Sequence, residues 1–434
     1  MKHFQFPTRR TFLSWAALGL GGLTQACQAS PRSTSQNAAT GAIELTVMIG
    51  AQEIPTWKPV IDQWEAQQSQ IRIKIIEGPT ATNLVEDLYT SAFLLGKSPY
   101  DLIFMDIVWV PKFAAAGWLL DLTDLLSAAD LADFLPADVA GGRYAGGLYR
   151  LPARTDAGLL FYRQDLLAAA GYQPPETTLE LLKIAQDLQK QQKVRWGYLW
   201  QGKQYEGLPA MFVEILAGHG GFWVDSETRT VGLDRPEALN ALQFLAETLA
   251  AKISPPGVTT YQEEETRRMF QNGDALFLRN WPYVWPLANA TDSPVRGKIA
   301  LKPMVHAPGF ASAGCLGGWG WGIAKSTRHP EAAWQAVQHL CSSIAQKQMT
   351  LAYGYLPTRR SLYQDPEILQ KYPFFPSMLT VLEAAVLRPP IAQYAQASDI
   401  LQRYLSAALS KRLSPEQALQ AAATETRRLL GTGP

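Results

Sequence analysis

The sequence predicts an α/β protein, with a parallel sheet at its start and a more helical body after it. Strand, helix, strand, helix and strand patterns follow one another between Ala42 and Asp106, an order that argues for a parallel sheet with right-handed crossovers. Helical patterns dominate to about Ala251 and again from Pro330 onward, and strands return only in between. The 434 residues exceed one typical hydrophobic core, so two or three domains or lobes are expected.

The first residues stand apart from this plan. "TRRTFLS", Thr8 to Ser14, sets paired arginines ahead of an apolar, glycine-containing run that reaches Ala26. That run is shorter than the ~20 residues a spanning helix needs, so it reads as an export signal, and its arginines resemble a twin-arginine signal. Cys27 follows "LTQA" and is the candidate lipid anchor, although Leu23 stands four residues before it where lipoprotein sites usually place a leucine three before. Ordinary cleavage between Ala26 and Ser30 is the competing reading. Residues 28–41 are rich in Ser, Thr, Gln and Ala and read as a flexible tether.

In the mature chain "AIELTVMIG", Ala42 to Gly50, alternates apolar and polar residues and closes on glycine, as a strand does. A helix from about Trp57 to Gln68, a strand "IRIKIIEG", a helix from about Ala81 to Leu95 and a strand "DLIFMD" follow. "RLPARTDAGLLFYRQDLL", Arg150 to Leu167, reads as an extended segment running into a helix. "DALFLRN" and "GKIALKPM" are later strands, available to return to the first lobe.

Composition and motifs remove most function classes. Apolar residues make up 47% and charged residues 18%, with a net charge of +1; this is an ordinary globular core with no commitment to nucleic acid. The five histidines, His3, His219, His306, His329 and His339, have no paired-ligand spacing, and there is no CxxC, so no metal site is expected. Phosphate loops, dinucleotide fingerprints and GxSxG elbows are absent from the sequence, so no cofactor and no catalytic residue are assigned. Cys315 and Cys341 could pair in an oxidising compartment or stay as buried thiols.

What remains are carboxylates and aromatics at strand ends. Glu53 lies past the first strand, Asp106 closes "DLIFMD", and Asp156 follows "YRLPART". Each alone reads equally as a helix cap or turn acid, but three acids beyond strand ends could ring one cleft, where strand carboxyl ends bind ligands. "FLRNWPYVWPL", Phe277 to Leu287, crowds Trp281, Tyr283 and Trp285 between prolines that rule out a regular helix or central strand. Such rings offer an apolar face and a polar edge, which suits a sugar. "GCLGGWGWGI", Gly314 to Ile323, reads either as a bulged core strand or as a site in which Gly317 and Gly318 let backbone approach a ligand beside Trp319.

Together these stretches, with "DLIFMDIVWVPKFAAAGWLLDL" and "LRPPIAQYAQASDILQRYLSAAL", resemble the extracellular solute-binding proteins of ATP-driven sugar importers, in particular the trehalose and maltose-binding branch. The resemblance runs in order over nearly the whole mature chain. It implies a two-lobed periplasmic-binding-protein fold with an interlobe ligand cleft and three crossover segments, near Pro152, Met304 and Gly354. Residues 42–152 and 304–353 would form the first lobe, and 153–303 and 354–434 the second. It places Glu53, Asp106, Asp156, Gly318, Trp319 and Arg388 at the cleft, opposite Trp281 and Tyr283, with Trp285 packed behind. It also implies a monomeric, exported receptor that captures a small carbohydrate and docks on a membrane permease. Arg154 departs from the pattern, since relatives often carry an aromatic there; it could bridge sugar oxygens and Asp156, and favour a two-unit ligand such as trehalose, sucrose or a glucosylated polyol. A glycoside hydrolase using two of the three acids is the rival class.

Overall fold

The structure of the protein is a computed structural model that describes residues 41–432 apart from 97 and 226. Cys27 and the expected signal lie outside those residues. Eleven strands form among the described residues: β1 (Ile43–Gly50), β2 (Ile71–Gly78), β3 (Leu102–Asp106), β4 (Arg143–Tyr144), β5 (Gly147–Leu148), β6 (Leu151–Ala157), β7 (Leu159–Arg163), β8 (Trp196–Leu199), β9 (Ala275–Asn280), β10 (Ile299–Pro303) and β11 (Leu316–Ile323).

The alternation in β1 seats Leu45, Val47 and Ile49 on one face, all fully buried. β1 pairs in parallel with β2, from Ile43 opposite Ile71 to Gly50 opposite Gly78. On β2 the outward residues are Arg72 and Lys74, charges that discourage edge pairing. The helices Ile54–Gln67 and Thr82–Leu94 make the crossovers, close to their expected bounds.

β3 departs from the expected all-parallel plan. It pairs antiparallel with β11, while its approach is tied to β1 by bonds between Thr46 and Asp101. β11 runs between β3 and β6 and is antiparallel to both. Its glycines make that insertion possible: a Cβ on Gly320 would stand 2.4 Å from the Leu151 carbonyl oxygen, and one on Gly322 would stand 2.4 Å from the Met105 methyl. The register of β11 on β6 slips between Trp319 and Gly320, so the segment is a bulged strand.

The second body is built on a four-stranded sheet of order β10-β7-β9-β8, antiparallel except for β8 on β9. The chain passes between the two sheets at Gly158, between β6 and β7, and returns between Pro303 and Leu316. Helices cover the rest, from Pro330–Leu340 to Pro415–Leu430. The prolines of "WPYVWPL" permit one short helix, Val284–Ala288, which the sequence reading did not expect; Pro286 needs no donor so near the helix start.

Behind β3 and β11, Trp57, Phe104 and Trp321 pack edge to face and tilted, with centroids 4.8 to 5.1 Å apart. Burying each such ring contributes about 3 kcal/mol, so the strand ends that carry Asp106 and Trp319 are held on a rigid base. Cys315 and Cys341 are both buried free thiols, and burial pushes each up to about 12.

Candidate functional site

The ends of β3, β6 and β11, together with the loop after β9, border one cavity of about 610 Å³. Glu53, Asp106, Arg154, Asp156, Trp281, Tyr283, Gly318, Trp319 and Arg388 all lie on its wall. The nine positions are separated by up to 335 residues in sequence, and the antiparallel return of β11 is what gathers them: Trp319 stands opposite both Asp106 on β3 and Arg154 on β6, and Gly317 stands opposite Asp156.

Asp106 is both a cap and a wall residue. One oxygen accepts from the Val108 amide at 3.3 Å and from Arg388 Nη2 at 3.0 Å. Arg388 reaches back with Nη1 to Glu206 at 2.7 Å. Glu206 also accepts from Tyr394 and Ser398. Burial pushes the Glu206 carboxyl up, against the pull of Arg388.

Arg154 reaches Asp156 only as a long ion pair from Nε. Its fork closes on Glu53, with Nη1 and Nη2 at 2.7 and 2.8 Å from the two carboxylate oxygens, while Asp156 stands 3.8 Å from Nε. The reason is geometric. The bidentate match to Glu53 satisfies two donors in parallel, and the guanidinium carbon stands over Tyr355, 4.3 Å from the ring centre. Burial works against its charge, but Glu53, Tyr355 and Asp156 outweigh that and hold it above its ordinary range.

Asp156 lies inside β6, not after it, and is 9% exposed. No hydrogen bond to its carboxylate forms among the described residues, although the side chain faces the cavity. Burial pushes its pKa up to about 7; Arg154 opposes the rise, and Glu53 and Asp106 add to it.

The aromatic wall is braced from behind. Trp319 stacks on Phe104 at 4.9 Å and meets Trp109 edge-on at 5.4 Å. Trp281 lies 4.1 Å from the Arg279 guanidinium, and its Nε1 donates to Glu263 at 3.3 Å. Arg279 is in turn forked onto Glu214, with Nη2 to Oε2 at 2.9 Å. Tyr283 donates to Glu264 at 2.9 Å. Trp285 faces away from the cavity, against Phe374 at 4.8 Å. Gly318 has φ +145°, and a Cβ there would stand 3.1 Å from both the Arg154 carbonyl and an Asp138 oxygen, so glycine is required at this position.

Sequence reasoning missed Glu206, Tyr205, Glu263, Glu264 and Tyr355, which also line the cavity. Three of these acids belong to helix starts, Glu206 before Gly207–Gly218 and Glu263 and Glu264 in Glu263–Gln271. Tyr355 follows the left-handed Gly354 that ends Ser343–Tyr353. Such positions carry the ordinary signals of a helix end and nothing more.

The profile of the bacterial extracellular solute-binding proteins matches residues 50–347. A probable ABC transporter-binding protein of Deinococcus radiodurans is 33% identical over 380 residues, 86% of this chain and 90% of that protein. Among solved structures, the maltose-bound MalE3 of T. maritima is 38% identical, with a TM-score of 0.85 over 89% of this chain and all of that one. A solute-binding protein of Thermotoga lettingae bound with α-D-tagatose is 27% identical, with a TM-score of 0.80 over 90% of this chain and all of that one.

Proposed function

Because the chain belongs to the bacterial extracellular solute-binding proteins, which are receptors of ABC importers and not enzymes, we propose that it captures a small α-linked disaccharide of the trehalose, maltose or sucrose type. The observation that carries this reading is the cavity itself. Braced faces of Trp281, Tyr283 and Trp319 stand with carboxylates that have oxygens left to accept from hydroxyls. The volume lies within the range of small-ligand sites.

The division we propose keeps the expected plan but moves the first crossing from Pro152 to Gly158, because β6 stays paired to β11 as far as Ala157: 42–157 with 304–353 against 158–303 with 354–434. On this reading the two lobes close over the ligand, and the closed form is what a membrane permease recognises. The receptor acts as a monomer outside the cytoplasm, tethered through a lipid on Cys27. Replacing that residue (Cys27→Ala) would move the protein from the membrane fraction to the soluble one; a wild type already soluble refutes the anchor.

A second reading gives the same role to a glucosylated polyol, which the corner closed by Arg154, Glu53 and Tyr355 favours, or to longer maltooligosaccharides, which that corner disfavours. Titration calorimetry with trehalose, maltose, sucrose, glucosylglycerol and maltotriose tests both. Tightest binding by a disaccharide supports the first reading, and no heat with any of the five overturns the proposal.

A further inference from the structure

Two guanidiniums stand on the cavity wall, and they are used differently. Arg154 and its partner Glu53 both belong to the first lobe of the division proposed above, so their pair lies within that lobe. Arg388 and Glu206 both belong to the second, but Arg388 also reaches Asp106 at the end of β3, in the first. Among the described residues, this is the one ion pair of the cavity wall that joins the two lobes. Arg388 and Asp106 are 5% and 7% exposed, so the pair is sheltered from the water that would weaken it.

Arg388 is anchored before it reaches across. Its backbone is fixed beside the return of the chain into β11: the Leu316 amide donates to the Val386 carbonyl, and the Val386 amide to the Gly314 carbonyl, each at 2.8 Å. Glu206 then holds Nη1 at 2.7 Å, and both of its oxygens have protein partners, since Oε1 also accepts from Tyr394 and Oε2 accepts from Ser398 at 2.5 Å. Gln402 donates to Ser398 in turn, at 2.9 Å. These bonds tie the start of Gly207–Gly218 to Tyr394–Leu409 and leave Nη2 aimed at Asp106. On Asp106 a single oxygen, Oδ1, takes both Arg388 and the Val108 amide. Oδ2 makes no bond among the described residues and is left for a sugar hydroxyl. Protein groups alone therefore complete the link, and a ligand on Oδ2 does not have to break it.

We propose that Asp106, Arg388 and Glu206 form an interlobe strap, with Glu206 as its positioning residue, that draws the two lobes together before a sugar arrives. The proposal rests on the two-lobed receptor reading above and adds what sets the balance between its open and closed forms. Opening the lobes separates Arg388 from Asp106, because Glu206 keeps the guanidinium with the second lobe. A receptor already biased toward closure needs less of the ligand's binding free energy to close, so its affinity for every sugar rises by the same factor. A residue that touched the ligand would instead favour some sugars over others.

The test is small-angle X-ray scattering of the sugar-free protein, wild type against Glu206→Gln and Arg388→Lys, with melting to show that each variant is folded. Glutamine keeps the shape of Glu206 without its charge, and lysine keeps the charge of Arg388 as a single point that cannot fork to two acids. Each sugar-free variant should have a larger radius of gyration than sugar-free wild type, and saturation with the tightest-binding sugar of the panel should return Glu206→Gln to the loaded wild-type value. In calorimetry Glu206→Gln should weaken every sugar of the panel by one common factor, of about ten if the closed fraction falls that far. A changed ranking of the sugars would make Glu206 a ligand contact and overturn its positioning role. Should Glu206→Gln fail to fold, Arg388→Lys decides the scattering comparison. Equal radii for sugar-free wild type and the folded variants overturn the strap and leave the receptor reading standing. If no sugar of the panel gives heat, the receptor reading fails, and the sugar-free radii still decide the strap.

Discussion

Arg279 with Glu214 and Arg154 with Glu53 are the same chemical pair, a guanidinium forked onto a carboxylate, set in two different surroundings. Around Arg279 each guanidinium nitrogen and each Glu214 oxygen has a partner: Nη1 donates to Gln201 at 3.1 Å, the Cys315 amide donates to Glu214 at 3.1 Å, and both side chains have no exposure. Around Arg154 a remainder is kept. Its Nε has no hydrogen-bond acceptor, and the pair borders the cavity with side-chain exposures of 7% and 9%. The first pair is a platform under Trp281, and the second is a wall that a ligand can touch. Identical chemistry thus divides into scaffold and site by what each leaves unsatisfied.

The comparison breaks most readily at the platform. Glu214→Gln leaves a buried guanidinium unpaired and should cost about 3 to 5 kcal/mol of stability, read by chemical denaturation. Full stability with impaired sugar binding would instead make Glu214 a site residue.

Next in size is the ring that the platform supports. Trp281→Ala should weaken sugar binding by about 2 kcal/mol or more, as for a central aromatic anchor, with melting near wild type; unchanged calorimetric affinity would return Trp281 to the core.

Asp156→Asn should weaken binding by about 1 to 3 kcal/mol if the carboxylate accepts from shielded hydroxyls. It also has a pH signature. Asp156 and Asp138 are both raised from 3.8 to about 7, so between those values the folded chain holds protons that the unfolded chain has released. Stability of the empty protein should therefore fall as pH rises through that window. Asp156→Asn should flatten the fall, and melting curves of equal slope in the two proteins would show that Asp156 ionises normally.

The smallest effect is expected at the second pair itself. Arg154→Tyr opens the corner held by Glu53 and should shift the preference between disaccharide and maltotriose by about 1 kcal/mol, the scale of a small change in pocket volume. An unchanged ranking means that Arg154 does not set ligand size.

The strand ends were legible in the sequence because period-two alternation in "IELTVMIG" and "IRIKIIEG" marks where each strand stops, and Glu53 and Asp106 stand at or just past such stops. Trp281 and Tyr283 were legible because their prolines excluded the regular elements that would have explained them otherwise. The partners of these residues were not. Glu206 lies 182 residues from Arg388, and Glu53 lies 101 from Arg154, and no local pattern records which buried acid a guanidinium will meet. Adjacency suggested Asp156 for Arg154, and the two do share a face of β6, but their ion pair is long at 3.8 Å, whereas Glu53 presents its two oxygens to the fork.

The burial of Cys315 and Cys341 bears on how lobe closure could be watched. With both thiols pushed up to about 12 and shut away from solvent, neither offers a thiolate to an alkylating dye. A cysteine placed at Leu84, which is 53% exposed on the helix whose first residue, Thr82, lines the cavity, would be the one labelled position among the described residues. A fluorophore there would turn sugar capture into a colour change without removal of either native sulfur.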